Sequence, residues 1–94
     1  MRPIQRIDSY TQPVSGSVAF DIRLIVEQQI RAAVPGVLED AVFEVSAEPR
    51  GTYTGVTVFV QPVNKTAVSD ASKKIEGDLE NLGIRALINV RTWT

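Results

Sequence analysis

The chain has no cysteine and no histidine among its 94 residues. Without cysteine there is no disulfide, no thiolate nucleophile and no cysteine-based metal site. Without histidine the commonest general base and the commonest zinc ligand are both missing. No long apolar run is present either. The longest runs are three residues, Leu24-Ile25-Val26 among them, far short of the roughly 20 residues that a membrane-spanning helix needs. The first residues lack the apolar centre of a secretory signal, so the expected location is the cytoplasm or an assembly formed there. Charge of one sign is also missing. Ten basic and eleven acidic residues leave a formal net charge of -1, so no global attraction to nucleic acid or to an anionic membrane is expected.

What is present suits a single compact domain. Hydrophobic residues make up 44% and charged residues 22%, a balance that can bury a core and stay hydrated. Residues 1–16 are polar, punctuated by Pro3, Pro13 and Gly16, and read as an N-terminal arm or an edge strand near Ile4 to Tyr10. Residues 17–94 read as one domain. Val18 to Val34 places Ile22, Ile25, Val26, Ile30, Ala33 and Val34 at steps of three and four, which predicts an amphipathic helix. Ser17 or Asp21 is its expected cap, and Pro35-Gly36 its end. Arg23, Glu27 and Arg31 recur at steps of four, so Glu27 can pair with either arginine.

Two alternating stretches follow, Ala41 to Ala47 and Gly55 to Val63. The turn-rich run Glu48 to Gly55 between them is expected to be a long exposed loop, either an ordinary hairpin connection or a binding tip with Arg50 and Tyr53 as its contact residues. A second helix is predicted from Thr66 to Leu82. Its stripe is Val68, Ala71, Ile75, Leu79 and Leu82, its cap Asn64 or Thr66, and its stop Gly83. Gly77 lies opposite that stripe, where its cost is expected to be tolerated. Ile84 to Thr94 alternates again as a last strand.

Helix, strand, strand, helix, strand predicts an α+β two-layer sandwich, with both helices on one sheet face. With a strand from the arm the order becomes βαββαβ, ferredoxin-like or related. A three-stranded sheet is the other version. Either leaves one sheet face without helices. Phe59, Gln61, Arg85, Leu87, Asn89, Arg91 and Trp93 alternate onto that side, beside Val42, Glu44 and Thr57. An aromatic and aliphatic patch of this kind marks an interaction surface. Aromatics beside arginines suit single-stranded nucleic acid and also suit subunit interfaces. The interface is the expected use, since it needs no net positive charge.

The remaining constellations carry less. Lys65, Lys73 and Lys74 read as a solvated helix face, because no glycine-rich phosphate loop accompanies them. Glu39, Asp40, Glu44 and Glu48 lack cation-loop spacing, and Asp40 is expected to serve a turn. Ser69 and Lys73 lie one helical turn apart with no sign of an oxyanion hole. No catalysis, cofactor or metal site is expected. The expected role is a non-enzymatic, self-associating interaction or assembly domain, with nucleic-acid binding or a small-ligand or metal-regulated domain as alternatives.

Pro35-Gly36-Val37, the strand pair, the helix containing Ala71-Ser-Lys-Lys-Ile75-Glu-Gly-Asp-Leu79 and the closing Ile84-Arg-Ala-Leu-Ile-Asn-Val90 resemble the cytoplasmic C-terminal domain of cation-diffusion-facilitator transporters. The resemblance covers residues 18–91 and implies a dimerising α+β domain. That family's metal sensing through histidine does not carry over to a chain without histidine. The same features are similar to the alkaline-shock-protein family, small cytoplasmic proteins.

Overall fold

A computed structural model describes residues 13–92. The reading of Ile4 to Tyr10 as a strand, and Trp93, lie outside the described residues. Helix α1 spans Gly16–Ala33 and leads into a 3-10 turn at Pro35–Glu39. Strands β1 (Glu44–Arg50) and β2 (Tyr53–Val60) follow, then helix α2 (Pro62–Asn81) and strand β3 (Ala86–Thr92). The sheet has three strands in the order β1-β2-β3. β1 pairs antiparallel with β2, and β2 pairs parallel with β3. This is the expected α+β class. Within the described residues it is the three-stranded version: β2 and β3 are bonded neighbours, so any further strand would have to join at an outer edge.

Local chemistry explains each boundary, and several differ from the sequence expectation. Ser15, not Ser17 or Asp21, caps α1. Its Oγ accepts from the Val18 N–H at 3.2 Å, so the helix starts inside the stretch read as an arm. Just before it, the Val14 N–H donates to the Gly51 carbonyl at 2.8 Å. α2 begins at Pro62, four residues before its expected start. Proline at the first helical position has its φ preset and no N–H to orphan, and the N-cap Gln61 is extended. Neither Asn64 nor Thr66 is the cap. At the other end the Gly83 N–H donates to the Glu80 carbonyl and the Ile84 N–H to that of Leu79, both at 2.9 Å. With Gly83 at φ 81°, this is the Schellman closure expected of a stopping glycine.

The core lies between the helices and one sheet face. α1 contributes Ala19, Ile22, Val26 and Ile30, and α2 contributes Val68, Ile75 and Leu79. The sheet contributes Val45, Val56, Val58, Val60 and Ala86, with Val34 and Val37 closing the helix-turn end. Each buried Val, Ile or Leu among them stabilises the fold by about 1.5–3 kcal/mol through burial. Three stripe assignments shift. Leu82 is 74% exposed because the helix has already ended, Ala33 faces solvent, and Ser72 takes a buried position on α2. Glu27 does pair with both arginines, accepting from Arg23 at 3.0 Å and from Arg31 at 2.9 Å. A Cβ at Gly77 would meet nothing within 4 Å, so its tolerated cost has no packing reason behind it.

Candidate functional site: the open sheet face

Alternation along β2 separates the two faces. Thr54, Val56, Val58 and Val60 are buried, while Tyr53, Gly55, Thr57 and Phe59 are only half-buried. Register extends this split across the sheet. Glu44 pairs with Phe59 and Phe59 with Arg91; Ser46 with Thr57 and Thr57 with Asn89; Glu48 with Gly55 and Gly55 with Leu87. The open face is therefore three cross-strand rows: acid–aromatic–base, three polar residues, and acid–glycine–leucine. Neither helix covers it, and Leu87 is 45% exposed there.

Of the expected contact residues, Phe59, Leu87, Asn89 and Arg91 come together on this face. Gln61 does not. It has left the strand to begin α2, and its N–H is held by Asp40 at 2.7 Å. Arg85 precedes β3, and its carbonyl accepts from the Thr54 N–H at 3.1 Å. Its exposed side chain lies at the end of the sheet, lining a cleft with Glu76, Glu80 and Leu87. Val42 also leaves the face. Asp40 Oδ1 accepts its N–H at 3.0 Å, and that turn absorbs Ala41 and Val42 before β1 begins.

The expected long loop is a two-residue turn, Gly51-Thr52, closed by the Arg50–Tyr53 pair. Gly51 adopts φ 66°, which a residue without Cβ takes at no steric cost. Arg50 and Tyr53 are thus ladder residues on the open face. The Arg50 side chain lies over Gly55, with Cγ 3.1 Å from where a Cβ would stand, and its guanidinium pairs with Glu48. Glu48, Arg50, Tyr53, Gly55, Leu87 and Asn89 line a shallow groove of about 200 Å³. Pro49 is compatible with this extended edge strand, because a proline can stand where its nitrogen faces away from the sheet.

The end of the domain is held by one carboxylate. Asp40 accepts from the backbone N–H groups of Gln61 and Val42 and from Asn64 Nδ2 at 3.3 Å. Partial burial pushes its pKa up, but the hydrogen bonds from Gln61, Val42 and Asn64 outweigh that and hold it below the usual 3.8. This is the turn role expected of Asp40, extended to seating α2. Among the described residues no group of three or more acidic side chains converges to hold a metal. No helix among the described residues is long and apolar enough to cross a membrane.

Comparison of the chain with protein-family models, with curated proteins and with solved structures found no match.

Proposed function

We propose that this is a non-enzymatic, self-associating contact domain whose open sheet face is the interface. One observation carries the reading. Among the described residues the side of the sheet bearing Phe59 and Leu87 has no covering helix, although its opposite side is sealed by two. Aliphatic and aromatic side chains ringed by both signs of charge are the composition of a protein contact. Arg91 beside Phe59 favours a second reading, single-stranded nucleic acid, since aromatics stack on bases and arginines meet phosphates. Acidic groups work against it: Arg50 is already paired with Glu48, and Glu44 stands in the same row as Phe59.

Light scattering across a concentration series tests the first reading. Mass should rise with concentration for the wild type and stay monomeric for Leu87→Asp. A wild-type monomer at every concentration would sink it. Salt-sensitive binding to single-stranded DNA or RNA, lost in Arg91→Glu, would establish the second reading instead.

A further inference from the structure

Taking the open face as a self-contact surface, as proposed above, we infer that two copies pack face to face about a two-fold axis parallel to β2, with Glu44 of each copy meeting Arg91 of the other. The charges themselves supply the reason. Glu44 and Arg91 stand in one row on either side of Phe59. Both are exposed, and neither forms an ion pair among the described residues. Two strand spacings, about 10 Å, lie between them, with Phe59 in the middle of the row.

Rotation by 180° about an axis along β2, in the plane of contact, lays β1 of one copy over β3 of the other. Glu44 then lies over Arg91 twice, once on each side, and Phe59 lies over its own counterpart on the axis. The same operation brings Ser46 over Asn89, two groups that can hydrogen-bond. It also brings Leu87 toward the Glu48 and Arg50 side, where the groove beside Gly55 lies. Such an interface is isologous, each patch serving both sides. Aligned packing of two sheets about 10 Å apart permits it. A face of three short strands offers only a few hundred Å² per copy, below the roughly 800 Å² of a standard stable interface. The dimer is therefore reversible, and charge complementarity sets its register.

Charge reversal in the full-length chain decides the geometry, read by sedimentation from about 10 µM to about 1 mM. Glu44→Arg alone and Arg91→Glu alone each place like charges opposite one another at both contacts. Each should weaken self-association about tenfold or more. The double variant Glu44→Arg/Arg91→Glu should recover it to within about threefold, and so should an equimolar mixture of the two single variants. Single reversals without effect, or a double variant that stays weak, would overturn the two-fold pairing. If Leu87→Asp still abolished association in that case, the contact face would stand and only this geometry would fall. A wild-type monomer throughout would remove both.

Discussion

The two faces of this sheet differ in composition by one residue step and in consequence by the whole economy of the fold. On the covered face Val56, Val58 and Val60 are at most 1% exposed. One residue away, Gly55, Thr57 and Phe59 remain half-buried with neither α1 nor α2 over them. Alternation forces this: a strand sends successive side chains to opposite sides, so the chain cannot seal one face without presenting the other. The covered face stabilises the monomer. The open face has neither α1 nor α2 packed on it, which is why the proposed contact is placed there.

The sharpest way to test that contrast is the same charge on each side. Val58→Asp puts an unpaired carboxylate where no water reaches. A penalty of about 4 kcal/mol or more is expected, a large share of the roughly 5–15 kcal/mol that holds a domain folded. Thermal or urea denaturation should find the transition shifted far below that of the wild type or lost.

A smaller effect is expected where the covered side is clasped rather than packed. Asp40→Ala leaves the N–H of Gln61 and the Asn64 amide without their acceptor and should cost about 1–3 kcal/mol. The pH dependence has a definite sign. The folded pKa of Asp40 lies below its usual 3.8, so the folded state favours the ionised form. That stabilisation is fully present above about pH 4 and is lost as pH falls through the folded pKa. Asp40→Asn should flatten that limb of the stability curve. A melting profile against pH that runs parallel to wild type would show that the clasp contributes nothing.

Two hydroxyls mark where covered packing and polarity disagree. Thr54 Oγ1 and Ser72 Oγ are buried and have no hydrogen-bond partner among the described residues. Replacing them with Thr54→Val and Ser72→Ala removes a desolvated donor at little change in shape. A gain of about 0.5–1.5 kcal/mol each is expected. A loss in both would mean that these oxygens hold partners in solution.

Which parts of this contrast were readable beforehand follows from how far apart the deciding residues lie. Val56, Val58 and Val60 announce their face within five residues, and Ile84, Ala86, Ile88 and Val90 announce theirs within seven. Helix stripes are equally local, although Leu82 and Ser72 show that the stripe depends on where the helix stops. Asp40 reaches Gln61 and Asn64 across more than twenty residues, and no periodicity encodes that. Pro49 and a cluster of turn formers made Glu48 to Gly55 look like a loop, so the outward run Glu48, Arg50, Tyr53, Gly55 was missed as part of the face. The row Glu44–Phe59–Arg91 needs both the two-residue turn and the direct pairing of β2 with β3, and neither follows from composition.

The smallest expected change in stability is the most informative for function. Leu87→Asp introduces the same carboxylate as Val58→Asp, but on a side chain already 45% exposed. The new charge can stay hydrated, so the unfolding free energy of the monomer should move by no more than about 0.5 kcal/mol. Its effect belongs in association, where a charge would be brought against the facing copy and partly stripped of water. Measuring both quantities on one preparation separates the roles of the two faces. Stability retained with self-association lost assigns Leu87 to contact alone. A stability loss comparable to that of Val58→Asp would mean that the open face also supports the monomer, and the division between a sealing face and a binding face would fail.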